Sequence, residues 1–173
     1  MEFAFVLPIL LYFVVGTMEF SIMFMAQNML ENAMTYAARA GKTGYAAAGM
    51  TRDQYLLMLA QSRVDRLMDP TQLSLNTESY SSLDKIGKPE PYVDRNGNGA
   101  YDLGETFTDV NSNGHWDADQ GIDSEGNSGD VVVYTISYPW HMMTPFLSNI
   151  LSNNGTVTLS SRLVVKNEPY NGG

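Results

Sequence analysis

A chain that opens MEFAFVLPILLYFVVGTMEFSIMFM has few ways to fold: its first 25 residues are apolar over a membrane-spanning length and contain no basic side chain. Lysine and arginine are absent before Arg39, while Glu2, Glu19 and Glu31 all fall in that stretch. As a helix, the run from Phe3 to Met25 is long enough to cross a hydrocarbon core of about 30 Å. Pro8 removes one helical hydrogen bond and predicts a kink near the start. A carboxylate at a bilayer centre costs about 2.5–3.5 kcal/mol on insertion scales. Glu2 and Glu19 therefore call for a cation, and the nearest is the α-amine of this chain or of a neighbouring copy.

The 173 residues make one domain plus a tail, enough for a modest core. With no cysteine, disulfide stapling and thiol chemistry are excluded. The net charge of −9 has one source: residues 90–130 hold ten acidic side chains against Arg95 alone. An acidic balance argues against nucleic acid as a partner. A local acidic block points to disorder or to cations.

From Gln27 to Ala48 the helix is expected to continue with small residues, Ala33, Ala37, Ala38, Ala40, Gly41 and Gly44, until Gly49 ends or bends it. Small faces let helices approach closely in a bundle, although alanine is also simply the best helix former. Thr51-Arg52-Asp53-Gln54 spells a capping box. A second helix follows, with Leu56, Leu59, Val64, Leu67 and Met68 near one face and Arg63, Asp65 and Arg66 off it, stopped by Asp69-Pro70. Beyond it the period changes to two in TQLSLNTESY, VVVYTISY and GTVTLSSRLVVKN. These predict a three- to four-stranded antiparallel sheet packed on the second helix or on the later half of the first, with PFLSNILSN as a short helix or turn. The fold class is α+β: a protruding N-terminal helix over residues 1–48, and a globular domain over 49–173 that folds without it.

EFAFVLPILLYFVVGTMEF resembles the opening of TadE/TadG-like pilins and pseudopilins of tight-adherence systems, relatives of the type IV pilins. Its Glu2-Phe3 pair, Leu7-Pro8, Gly16 and Glu19 match that pattern. QNMLENAMTYAARAG is similar to the family's Ala-rich helix and VVKNEPY to its closing strand, so the likeness covers residues 1–50 and 130–170. The resemblance implies a structural subunit of an extracellular pilus, held in the inner membrane before assembly and polymerising through its tail. Its implied partners are further copies of itself, the pilus assembly machinery and a prepilin peptidase. Glu2 or Glu19 would then lie beside a neighbour's N-terminal amine. Family precursors carry a short basic leader whose removal leaves the glutamate fifth, whereas here it is second. Either a leader and some mature residues are absent or this branch is processed differently. Arg39 and Lys42, the first basic side chains, would by the positive-inside rule place the C-terminal part in the cytoplasm, which favours a missing leader. The alternative is a permanent single-pass protein displaying a binding domain.

Residues 92–125 carry the sharpest motif, two copies of a calcium loop. Asp94, Asn96, Asn98, Gly99, Asp102 and Glu105 fall at positions 1, 3, 5, 6, 9 and 12 of an EF-hand loop, with the Ala100 carbonyl at position 7. Oxygens at 1, 3 and 5 converge on one point, glycine at 6 permits the sharp turn, and a glutamate at 12 closes the shell bidentately. In the second copy Asp109, Asn111, Asn113, Gly114 and Asp117 recur, with the His115 carbonyl at position 7, but position 12 is Gln120. A neutral amide cannot close the shell in that way. The second site is therefore expected to be weaker, or to borrow Asp119, Asp123 or Glu125. A 15-residue offset leaves no room for EF-hand helices, and the arrangement looks like compact dockerin-like or thrombospondin-type-3-like repeats. Two calcium ions are the expected cofactors; the competing reading is a solvated acidic loop. Magnesium suits these donors less well, because it demands near-octahedral geometry and keeps its waters.

Catalysis is not expected. His115 sits within a loop and His141 beside a strand end, and no G-x-S-x-G context surrounds a serine. The Asn-rich donor set suits structural calcium better than a hydrolytic site with an open coordination position.

Overall fold

The computed structural model describes residues 3–64, 67–151 and 155–168, so Glu2, Asp65 and Arg66 lie outside the described residues. Helix α1 runs from Phe3–Gly41 with Pro8 inside it, and divides into two halves by exposure. Val6 to Val15 and Met18 are exposed, as are Phe24 and Met25. From Ala26 onward a stripe at helical spacing is buried: Ala26, Leu30, Ala33, Met34, Ala37 and Ala38. The stripe rests on the chain's own sheet, so the small residues expected to suit a bundle are taken up within this molecule. Gly41 shows how close the approach is, because a Cβ there would lie 2.8 Å from the Tyr134 hydroxyl.

The helix ends earlier than expected, at Gly41 rather than near Ala48. Gly44 adopts φ 67°, the left-handed conformation that terminates helices. Helix α2, Arg52–Gln61, begins with the expected capping box: Thr51 accepts from the Gln54 amide, and the Gln54 side chain accepts from the Thr51 amide. Turns continue the chain past α2, and Leu56, Ala60, Val64 and Met68 face inward at intervals of four.

Strands β1 (Ser74–Tyr80), β2 (Ile122–Asp123), β3 (Val131–His141) and β4 (Thr156–Lys166) form one antiparallel sheet in the order β2-β1-β3-β4. The three strands read from the sequence are β1, β3 and β4; the two-residue β2 joins them from the end of the acidic insertion. Alternate residues of β3, namely Val132, Tyr134, Ile136, Tyr138 and Trp140, are buried in one core with α1 and α2. Both helices thus cover the sheet. The core takes in the C-terminal half of α1 from Ala26, with Ile22 and Met23 packed against it, and residue 48 lies in a surface turn. Helix α3, Pro145–Leu151, lies in the β3–β4 connection. The strand order makes β1 and β3 neighbours, and the whole insertion of residues 81–130 is a loop-out between them.

Candidate metal centre

The insertion contains two loops of matching backbone and side-chain geometry. In the first, the Asp94 carboxylate accepts from the amides of Gly97 (2.7 Å) and Gly99 (2.8 Å), Asn96 accepts from Asn98 N (3.0 Å), and Asn98 from Ala100 N (2.8 Å). The Asp102 carboxylate accepts from both the Asn96 and the Asn98 amide groups, at 2.6 and 2.8 Å. In the second, Asp109 accepts from Asn113 N and Gly114 N, Asn111 from Asn113 N, and Asn113 from His115 N. Asp117 takes the side-chain amides of Asn111 and Asn113 at 2.8 and 2.7 Å. The residues read from the sequence at positions 1, 3, 5 and 9 are therefore brought together in each loop. Position 4 demands a left-handed backbone in both, with Gly97 at φ 75° and Ser112 at φ 63°. Repeated hydrogen bonds to its backbone amides, that of Gly99 foremost, hold the Asp94 carboxyl below the usual carboxylate range.

Closure of the loops departs from the sequence reading. Glu105 accepts from the position-2 amide, Arg95 N, at 2.8 Å and from the position-9 amide, Asp102 N, at 3.1 Å. In the second loop the same two positions, Val110 N and Asp117 N, donate to Glu90, at 2.6 and 3.2 Å. Trp116 also donates its indole N–H to the Glu90 carbonyl. Glu90 is fully buried at 0% exposure. Gln120 instead donates its side-chain amide to the carbonyls of Lys88 and Pro89. Of the other carboxylates expected to serve the second loop, two are engaged elsewhere and the third sits in a strand. Asp119 accepts from the Tyr80 hydroxyl, Asp123 lies in β2 opposite Glu78, and Glu125 pairs with Arg52 at 3.3 Å.

The pair of loops has an internal two-fold logic. Val93 N donates to Thr106 O and Thr108 N to Pro91 O, each at 2.8 Å, around a Tyr92–Phe107 bridge. Each partner differs by 15 residues, and so do Glu90 and Glu105. Each glutamate precedes one loop by four residues and closes the other. At position 8, Tyr101 and Trp116 stack with centroids 4.6 Å apart, and Tyr92 and Phe107 meet them edge-on. These rings give a loop-rich segment the apolar packing it otherwise lacks. The sequence signal for Glu90 is the full repeat, EPYVDRNGNGAYD over 90–102 against ETFTDVNSNGHWD over 105–117, which begins at glutamate rather than at aspartate.

The donor chemistry fits a hard, oxygen-seeking cation, since each loop combines carboxylates with amide oxygens. Among the described residues no three or more carboxylate or imidazole side chains form a ready cage. In this conformation the closing glutamates are turned to backbone amides, and half of the expected donors are asparagine or carbonyl oxygens. Burial also leaves Glu90 without an ion-pair partner among the described residues, a costly state for a charge unless a cation offsets it. Two contacts tie the insertion to the head. Arg52, itself buried, donates to the Glu125 carbonyl at 3.0 Å as well as pairing with its carboxylate. Asn167 donates to the carbonyls of Glu125 and Asn127. His141 is bonded through Nδ1 to the Thr156 hydroxyl across the β3–β4 pair, a strand-end role.

Of the two tail carboxylates singled out, Glu2 lies outside the described residues. Glu19 is 3% exposed and is met by its own head. Met143 N donates to it at 2.5 Å and Thr144 N at 3.1 Å, and the Thr144 hydroxyl donates to the same carboxylate. The carboxylate is thus satisfied at the entry to α3, without a neighbour's amine.

Residues 1–39 match the family model described as TadE-like protein. The N-terminal helix is similar to the TadE-like family over that span. This is the helix that is long and apolar enough to cross a membrane, with a mean hydropathy of 1.9 over its best window. The match and the apolar helix fit a pilus-related, membrane-anchored protein; the match stops at residue 39. No curated protein and no solved structure matches the chain.

Proposed function

We propose that this chain is a structural subunit of an extracellular tight-adherence pilus, anchored in the inner membrane through α1 before assembly and carrying a head stapled by two calcium ions. The observation that carries the assembly reading is the division of the helix that resembles TadE: its later half is built into the head, while Val6 to Val15, Met18, Phe24 and Met25 leave apolar side chains exposed. A bare apolar helix rigidly joined to a polar head suits first a bilayer and then a core of like helices, where close packing replaces lipid. Because Glu19 is held by its own head, the carboxylate that meets a neighbour's N-terminal amine is Glu2. A compensated pair loses much less in hydrocarbon than a lone carboxylate, and so favours insertion of each new subunit.

Calcium has a structural role in this reading. Asp94, Asn96, Asn98, Asp102 and Glu105, with the Ala100 carbonyl, hold one ion. Asp109, Asn111, Asn113 and Asp117, with the His115 carbonyl and Glu90, hold the other. The ions neutralise much of the insertion's charge and order a segment that has no disulfide. Extracellular modules of this kind work with dissociation constants of about 10⁻⁴–10⁻³ M.

The test is assembly in cells that make the pilus machinery. Glu2→Gln is expected to abolish surface filaments while leaving the head folded, and wild-type chain is expected in the sheared surface fraction. A wild-type chain that stays wholly in the membrane fraction would favour the permanently anchored display protein instead.

A further inference from the structure

The β3–β4 connection reaches down α1 into its bare half. Gln27 donates its side-chain amide to Ser160 O of β4 at 2.9 Å, which sets the strand beside the helix at that level. Toward the hairpin tip the contacts move toward the helix N-terminus: Met143 and Thr144 meet Glu19, and a Cβ added at Gly16 would lie 3.7 Å from Leu147. Thr144 also closes an apolar groove with Pro8, Leu11, Tyr12 and Val15.

The hydrocarbon-compatible surface of α1 extends past this level. Exposed apolar side chains continue to Phe24 and Met25, and the first exposed charged side chain after them is Glu31. Thr17 and Ser21, within the run, bond back to the carbonyls of Val14 and Thr17, the way hydroxyls are satisfied in lipid. Val6 to Met25 spans about 30 Å at 1.5 Å per residue, the thickness of a hydrocarbon core. Glu19 stands six residues before Met25, about 9 Å inside that edge. Met143, opposite Glu19, is 63% exposed.

We propose that the hairpin tip, Met142–Ser148, is seated in the bilayer boundary on the side of the head, against lipid acyl chains, while the chain is membrane-anchored. Irregular backbone survives at such depth only where its polar groups are satisfied inside the protein. Glu19 meets that condition by accepting the tip's amides, and the tip in turn supplies the partners that an acid in hydrocarbon needs. Asn149, exposed on α3, gives the tip a polar side for the headgroups. The inference rests on membrane anchoring of α1 and is independent of filament assembly.

The chain has no cysteine, so an introduced thiol is unique. The full chain is reconstituted at high lipid excess in phosphatidylcholine–phosphatidylglycerol vesicles as Met143→Cys, Pro145→Cys, Ile9→Cys or Leu103→Cys, each carrying a nitrobenzoxadiazole label. Quenching by doxyl-labelled lipid and by aqueous iodide is then compared. Labels at 143, 145 and 9 are expected to be blue-shifted, quenched by doxyl lipid and several-fold less sensitive to iodide than the label at Leu103. The Pro145 label decides the matter if the Met143 label lowers the melting temperature. Iodide quenching at the tip equal to that at Leu103, with Ile9 quenched by lipid, overturns the inference while leaving the anchor intact. Iodide quenching at Ile9 as well overturns the anchoring and the inference with it.

Discussion

Replacing Glu90 by glutamine should destabilise the head only when calcium is present. The substitution keeps size and one oxygen but removes the charge from a fully buried side chain. It also turns an amide N–H₂ toward one of the two backbone donors, Val110 N or Asp117 N. Losing one charge-assisted hydrogen bond costs about 1.5–3 kcal/mol. In chelator that loss is set against relief of a buried charge that has no ion-pair partner among the described residues, so the net shift is small. In calcium a second loss appears. An ion at a hundredfold excess over its Kd contributes about 2.7 kcal/mol, and a site without its closing carboxylate forfeits it. For a chain of this size 1 kcal/mol moves the melting temperature by about 2–4 °C. The full-length chain in detergent should therefore lose on the order of 10 °C in calcium and a few degrees at most in chelator. Glu105→Gln should behave alike at the first loop, whereas Gln120→Ala should show no calcium-dependent loss. Melting shifts for Glu90→Gln that are equal with and without calcium would refute the reasoning.

Three further outcomes are expected. A chain starting at Gly49 lacks Leu30 and Met34 along with the buried alanines of α1; truncating each large side chain alone costs about 2–5 kcal/mol against a total of about 5–15. Such a fragment should show no cooperative melting even in calcium, and a sharp transition would place the core elsewhere. Ser112→Gly relieves a left-handed backbone worth about 1–2 kcal/mol, part of which is offset by the freer unfolded chain, so a net gain of about 0.5–1 kcal/mol should appear in a melting curve. Burial, ahead of the Glu125 charge, raises the Asp53 carboxyl above its ordinary value despite the Thr77 hydroxyl bond. The folded state then binds that proton more readily than the unfolded chain, so this group's contribution falls as pH rises through the raised value. Asp53→Asn should melt above wild type at pH 7 and converge with it below about pH 4, where the ordinary carboxyl is also protonated; a constant offset across that range would contradict the assignment.

Much of this was legible in the residues, for physical reasons that differ from element to element. The convergence of Asp94, Asn96, Asn98 and Asp102, and of their counterparts in the second loop, was readable because these side chains lie close in sequence. The capping box and the three longer strands were readable because their hydrogen bonds or alternation are local. Glu90 was missed because the loop was taken to begin at Asp94; its role needs the two-fold pairing of 91–93 with 106–108, which only the longer repeat discloses. The alanine stripe of α1 was left between a bundle face and plain helix propensity, since a small face does not say which partner it meets; here the partner is the chain's own sheet. Arg52 gave no sign of burial, because its counter-charge, Glu125, is 73 residues away. Glu19 was expected to seek a neighbour's amine, and its actual donors belong to a turn 124 residues on.

The most direct test of the account is a helical reconstruction, by electron cryomicroscopy, of filaments sheared from cells that express this chain. The account predicts a fibre whose core is a bundle of α1 helices over Val6–Met25, with heads outside and two cation densities per subunit, one enclosed by Glu105 and one by Glu90. A fibre with α1 outside the core, or heads whose loops hold no density between those carboxylates and their aspartates, would contradict it.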